Sequence, residues 1–288
     1  MCGRYTLTKP PVDLANQLHL PDVSALVPRY NIAPTQQVPV VRVTPGGLVV
    51  DLLRWGLIPA WAKDPSIGAR MINARAETVA DKPSFRSAFR QRRCLVLTDG
   101  FYEWQKTAGG KVPHYIRMRD GGAFAFAGLW ERWSPRDVRT RTAGSRRGGT
   151  NPTDATGGAD GVGQGDAGSH AKPGGESDAA GRTSAAADTV SVESCTIITT
   201  QANELTRAVH DRMPVILSAA DYACWLDTTV RDTDVLSAML RPYPSQHMTA
   251  YAVTRRVNSV AHDEPACVEP ATGGDTTGQA KRNTPRRS

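Results

Sequence analysis

Apolar residues along this chain fall mostly in short runs bounded by glycine and proline, not in long amphipathic stretches. QVPVVRV, GLVVDLLRWGLIP, RRCLVLTDGFYEW, VPHYIRM, AFAFAGLWERW, SCTIITTQA and TAYAVTRRVN are rich in β-branched and aromatic residues, and each predicts a strand. PVDLANQLHL, SFRSAFRQR, SAADYACWLD and DTDVLSAML read as helices, and the third opens on Ser218 as an N-cap. Strands and helices do not alternate regularly, which argues against a doubly wound parallel sheet. The expected fold is α+β, with mainly antiparallel sheets and peripheral helices.

Between about Ser134 and Val190 the pattern stops, and the chain becomes Gly, Ala, Thr, Ser and Asp with almost no large apolar residue. Such a stretch cannot bury enough surface to offset its ordering entropy. Both of its flanks look like strand. The expectation is therefore one domain over residues 1–270, interrupted by a disordered insertion at about 134–190. Residues 271–288, ending KRNTPRRS, read as a disordered basic tail.

A chain of 288 residues is long enough to bury a full core. No apolar run approaches bilayer length and no charged-then-apolar leader is present, so a soluble, cytoplasmic monomer is expected. The five cysteines (Cys2, Cys94, Cys195, Cys224 and Cys267) form no Cys-x-x-Cys pair. Neither a zinc site nor a disulfide framework is expected, and no cofactor is called for. The net charge of +7 is unevenly placed. Residues 1–133 carry 18 Lys and Arg against 10 Asp and Glu, whereas residues 193–270 carry 6 against 10. Arg86, Arg90, Arg92 and Arg93 crowd one short stretch, a distribution that attracts polyanions, nucleic acid first among them.

Candidate chemistry begins at the second residue. Met1 is removed when residue 2 is small, which makes Cys2 a terminal aminothiol. Its amine has a pKa of roughly 7.7–8.0 and its thiol roughly 8.5, so neither is far from its reactive form. Such a terminus suits acyl transfer by sulfur. It equally suits condensation of both atoms with an aldehyde, a Schiff base closing to a five-membered thiazolidine. Four later segments carry polar residues that plain packing does not require. NIAPTQ, Asn31 to Gln36, is a proline turn. MINARAET alternates Asn73, Arg75 and Glu77, which on a strand would share one face. In DGFYEW, Glu103 lies between Tyr102 and Trp104, where desolvation raises a carboxyl pKa and suits it to acid/base work. AVHDRMP sets His210 beside Asp211 and Arg212.

MCGR, NxAPT, WG-x-x-P-x-W, INAR-x-E, DGFYEW and HDRMP, in this order, resemble the SRAP family of SOS-response-associated peptidase-like, abasic-site-processing proteins. The resemblance runs from Cys2 to about Pro270 and implies a barrel-like domain that cross-links to abasic sites in single-stranded DNA. By matching motif it implies that Cys2 forms the thiazolidine and that Asn73 positions the amine and the sugar. Glu103 would be the acid/base for sugar opening and ring closure, and His210 a second acid/base at the imine stage, for strand cleavage or reversal. Arg4 and Arg75 would contact phosphates, with Asn31 and Arg212 as further DNA contacts. Pro34, Trp55 and Trp61 would form the apolar wedge or stacking surface. Association with the nucleoid would follow on damaged DNA.

Other classes share parts of this signature. Glutamine-hydrolysing amidotransferases with an N-terminal nucleophile also begin Met-Cys-Gly, but their later motifs are not recognisable here. A basic single-stranded DNA-binding module with an incidental Cys2 would release DNA in denaturant. A peptidase that frees its own Cys2 is a further activity that Glu103 and His210 could support.

Overall fold

Among the described residues the chain forms twelve strands, almost all antiparallel to their neighbours. The computed structural model describes residues 2–21, 23–135 and 191–271. The expected insertion and tail lie outside these residues, apart from Ser134, Pro135 and Ala271. One sheet contains β1 (Arg4–Leu7), β2 (Arg29–Ile32), β7 (Gly100–Thr107), β8 (Gly110–Met118) and β12 (Met248–Ala252), in the order β12-β8-β7-β1-β2. The other contains β3 (Gln37–Thr44), β4 (Gly47–Trp55), β5 (Asn73–Arg75), β6 (Arg93–Thr98), β9 (Phe124–Trp133), β10 (Val192–Gln201) and β11 (Arg212–Pro214).

This second sheet runs β11-β10-β4-β3-β6-β9, and β9 pairs again with β10, so it closes into a ring. Within the ring β6, β9 and β10 are buried along most of their length. The outer face of β6 is covered as well, by α2 (Arg86–Gln91) and α4 (Tyr222–Leu226). That double burial explains why all six residues of β6 are buried and why it reads as an unbroken run. Helix α1 (Pro11–Leu18) buries Leu14, and α5 (Thr233–Ala238) buries Leu236. The short α3 (Glu204–Arg207) is capped by Asn203, whose side chain accepts from Thr206 N at 2.9 Å. Ser218 does stand at an N-cap position, of the 3-10 turn that leads into α4, but its hydroxyl donates to Asp221 instead of capping a backbone amide. The strands flanking the expected insertion pair side by side, from Val192 opposite Trp133 to Ile197 opposite Gly128.

Three expectations need correcting. RRCLVLTDGFYEW is not one strand, because Asp99 turns the chain out of the ring sheet into the other one. The Asp99 carboxylate accepts from Thr8 N and Thr8 Oγ1, both at 2.6 Å, from Lys9 N at 3.0 Å and from Thr6 Oγ1, so it clamps the end of β1 at the corner. Gly100 must follow, since a Cβ there would collide with the Tyr115 ring. TAYAVTRRVN is strand only to Ala252, and Arg255–Asn258 coils into a 3-10 turn. MINARAET is strand only over Asn73–Arg75, with Glu77 in the turn beyond.

Helix packing depends on one buried cation. Arg93, only 2% exposed, donates to the carbonyls of Phe89 and Arg90 at 2.9 Å each, of Val230 at 3.0 Å, and of Trp225 and Asp227. One side chain thereby ties the C-terminal end of α2 to the last turn of α4 and the loop that follows it.

The corner makes a stability prediction. Asp99→Ala leaves several buried donors without an acceptor and is expected to cost on the order of 2–4 kcal/mol, lowering Tm by roughly 5–15 °C in a chain of this size. Asp99→Asn, which still accepts, should recover part of that loss. Calorimetry that finds an unchanged Tm for Asp99→Ala would show that other contacts hold the corner.

Candidate active site

Strand β1 lies between β2 and β7, with Arg4 opposite Tyr102 and Tyr5 opposite Ile32. Continuing that antiparallel register toward the N-terminus brings Cys2 and Gly3 alongside Glu103 and Trp104. Cys2 has no exposed surface, and its Sγ lies 3.9 Å from Arg4 O. Burial, reinforced by the negative field of Glu103, pushes the thiol pKa well above its usual range. Asn73 arrives from the ring sheet. Its strand β5 pairs parallel to β10, with Asn73 opposite Ile197, and its Nδ2 donates to Cys2 O at 2.8 Å. The site thus sits where the two sheets meet. Asn73 Oδ1 is buried and has no hydrogen-bond partner among the described residues, leaving one acceptor beside Cys2.

Glu103 is 3% exposed, and burial pushes its carboxyl pKa up to about 7, with the charge of Asp211 acting in the same direction. His210 lies in the loop after α3, and Gln105 Nε2 ties that loop to β7 by donating to Ala208 O at 2.9 Å. The His210 Nδ1 faces Arg212 N at 3.1 Å and Asp211 Oδ1 at 2.8 Å. One ring nitrogen cannot accept from the first and donate to the second at once. The neutral ring accepts from Arg212 N and carries its proton on Nε2, whereas the imidazolium turns to Asp211. Burial lowers the His210 pKa, and Asp211 opposes that shift without cancelling it.

The arginines divide sharply. Arg75 is exposed on the same strand face as Asn73. Arg212 is occupied: its guanidinium grips both Glu77 carboxylate oxygens at 3.0 Å and donates to Thr199 O at 2.7 Å. Arg4 is turned inward, donating to Asn31 Oδ1 and Val257 O at 2.7 Å each, and burial lowers its pKa. Asn31 is fully buried, and its Nδ2 donates to the carbonyls of Val257, Ser259 and His262. Asp263 adds a cap on the β2 edge, accepting from Asn31 N at 2.9 Å, from Tyr30 N and from the Arg29 guanidinium. Residues 255–263 therefore strap β1 and β2 in place.

The structure separates the expected stacking residues. Trp55 is core: it is completely covered, lies edge-on to Tyr5 with ring centroids 5.3 Å apart, and donates from Nε1 to Ile72 O at 2.9 Å. A ring with no exposed surface cannot stack on a base, so that expectation fails for Trp55. Trp61 is 46% exposed, and Pro34 is half-buried. Pro34 and Thr35 form a tight turn in which Thr35 has φ 73°, a left-handed conformation costly for a β-branched residue. Thr35 N to Trp55 O at 2.8 Å and Trp55 N to Gln36 O at 2.9 Å hold it there. No motif points to Asn258, which receives Trp104 Nε1 at 2.8 Å, or to Asp263. Both act across more than 150 residues of chain, and neither lies in a motif.

The sequence model of the family described as SOS response associated peptidase (SRAP) matches residues 1–146 and 175–260. The chain is 35% identical over 274 residues to the abasic site processing protein YoqW of Bacillus subtilis, covering 93% of this chain and 99% of that one. It is 30% identical to the abasic site processing protein HMCES of Gallus gallus, covering 76% of this chain and 56% of that protein. A crystal structure of a protein from Bacteroides thetaiotaomicron superposes with a TM-score of 0.69 at 22% identity, covering 94% of this chain and all of that one, a likeness of fold.

The clamp on Glu77 makes a second prediction. Arg212→Ala and Glu77→Ala should each destabilise the protein, and a double-mutant cycle in urea should give a coupling of about 1 kcal/mol. Arg212→Lys should recover less than half, because a point charge cannot reproduce the two-pronged contact. Additive effects would mean that the two side chains contribute independently.

Proposed function

The chain belongs to the SOS response associated peptidase family, and we propose that it processes abasic sites in single-stranded DNA by bonding them covalently through Cys2. Two curated relatives carry the name abasic site processing protein over most of this chain's length. The observation that carries the reading is the convergence of Cys2, Asn73, Glu103 and the His210 loop, from four separate segments, on the seam between the sheets. An abasic deoxyribose opens to an aldehyde. The α-amine of Cys2, freed by loss of Met1, adds to that carbonyl and expels water, giving an imine. The thiol then adds across the C=N bond, its proton passing to nitrogen, and the thiazolidine closes with net loss of one water.

The protein's own groups suit these steps. A carboxyl with a pKa near 7 is protonated often enough to give a proton to the sugar ring oxygen and ionised often enough to take one back. The unpaired Asn73 Oδ1 is an acceptor for the incoming amine, while its Nδ2 fixes the Cys2 carbonyl. The thiol is held protonated by burial, so it does not compete before the imine exists. His210, able to turn between Arg212 N and Asp211, serves the imine stage, where strand cleavage and reversal of the cross-link also begin. Arg75, exposed beside Asn73, is placed to hold a flanking phosphate.

Cys2→Ala is expected to abolish the heat-stable cross-link while leaving DNA affinity nearly intact, since arginines supply the affinity and Cys2 the sulfur. Intact mass after incubation with an abasic oligonucleotide reads both facts: loss of Met1, and gain of the oligonucleotide less one water. A mutant that still cross-links to full extent would overturn the role of Cys2. DNA released from the unmutated protein in denaturant would favour a non-covalent binder, and glutamine hydrolysis an amidotransferase.

The pH dependence follows from two groups. The acid form of Glu103 is lost as pH rises through about 7, while the free amine of Cys2 grows in as pH rises through roughly 7.7–8.0. Their product makes the cross-linking rate bell-shaped. Glu103→Gln should slow formation by a factor on the order of tens or more and remove the fall on the alkaline side. His210→Ala should leave formation in place and change strand cleavage or reversal. Time courses showing the opposite division would exchange the two roles.

A further inference from the structure

We propose that the outer face of α2 is a second nucleic-acid contact, a phosphate track for the strand flanking the lesion; it rests on the reading above that the substrate is DNA. The basic stretch noticed in the sequence divides in two once folded. Arg93 is buried against five carbonyls, and Arg92 is held by Glu131 at 2.7 Å and Ser87 at 3.1 Å. Arg86 and Arg90 remain exposed, and Lys82 joins them. The helical turn begins before α2 proper, because Arg86 N donates to Lys82 O and Phe89 N to Phe85 O, at 2.9 and 2.8 Å. Arg86 and Arg90 therefore stand at i, i+4 on one face of α2, about 6 Å apart along the axis, a spacing that consecutive phosphates of one strand can meet, and Lys82 lies in the turn that leads into them. The opposite face buries Ala88 and Phe89.

None of the three cations has an ion pair or side-chain hydrogen bond among the described residues. Like charges at i, i+4, as at Arg86 and Arg90, disfavour a free helix, and Lys82 adds a third positive charge in the turn before it. Phosphates of a bound strand would neutralise all three. The nearest acids do not supply that neutralisation. Glu77 is held by Arg212, and Asp81 is exposed but pairs with none of the three cations. The track also connects to the site. From exposed Arg75 the chain makes one turn, Thr78 N to Arg75 O at 3.1 Å, and a second, Lys82 N to Thr78 O at 3.0 Å, so two tight turns join Lys82 to the strand that carries Asn73 and Arg75. Phe85 and Phe89 turn toward the core, so the ridge presents charge without a stacking surface. It would hold backbone phosphates irrespective of base sequence.

The test uses the full chain and single-stranded oligonucleotides carrying an unreactive abasic analogue. One spans about five nucleotides around the lesion, and two others are extended by about ten, on the 5′ or the 3′ side. The unmutated protein should bind one extended form more tightly than the short one. Lys82→Gln/Arg86→Gln/Arg90→Gln should lose that gain, with a salt slope smaller by about 2, as expected for three phosphate contacts to a single strand. Its affinity for the short oligonucleotide and its cross-linking rate at saturation should not change. The Ala triple variant serves as a second form should the Gln variant fold poorly. An unchanged salt slope, equal weakening of all three oligonucleotides, or loss on both sides alike would overturn the track. Absence of cross-linking by the unmutated protein would sink the proposed function while leaving this binding comparison readable.

Discussion

Everything in the site depends on how β1 is seated. A four-residue strand next to the chain start has little surface of its own to hold it, yet Cys2 must be fixed relative to groups from three other segments. The seat has three parts: ladder bonds to β2 and β7, the Asp99 carboxylate at the C-terminal end, and the Arg4–Asn31 pair locked to the 255–263 strap. Asn73 completes it by holding the Cys2 carbonyl from the other sheet. Fixing a terminus costs backbone entropy of about 1–2 kcal/mol per residue. Buried, charge-assisted hydrogen bonds of this kind are among the few contacts strong enough to offset that at a chain end.

Arginines in this protein face two ways, and burial separates them. Arg4, Arg93 and Arg212 spend their donors on carbonyls or carboxylates of the protein itself, tying together segments distant along the chain. Arg75, Arg86 and Arg90 keep theirs facing solvent. A guanidinium donates up to five hydrogen bonds and stays charged, so it serves as an internal bolt or a phosphate contact but not both at once.

The electrostatics of the site follow from enclosure. The same burial that keeps the Cys2 thiol protonated raises the Glu103 carboxyl into the neutral range and pulls the His210 ring below its usual value. The strained Thr35 turn and the completely covered Trp55 lie on the structural side of this arrangement: they pack the end of β4 and leave Trp61 as the exposed aromatic of that region.

Much of the fold was legible along the chain. β-branched runs marked most of the strands, and periodicity marked four of the five helices among the described residues, because most of those elements bury one face and their pattern records which one. The motifs MCGR, INAR, DGFYEW and HDRMP singled out Cys2, Asn73, Glu103 and His210, since polar residues set among apolar ones have a local cost that shows in the sequence. The missed helix, Glu204–Arg207, is four residues long, too short to carry a period. The strand spans of RRCLVLTDGFYEW and TAYAVTRRVN were overrun because a change of sheet at Asp99 and a coil at Arg255 are decided by distant partners, Thr6 to Lys9 in one case and β2 in the other. For the same reason the sequence could not tell a wedge from a core residue at Trp55, or a phosphate contact from a bolt at Arg4. Composition fixes what a side chain can do. Only the tertiary structure decides whether its donors and its ring face water or another part of the chain, because that choice is made by segments up to 250 residues away.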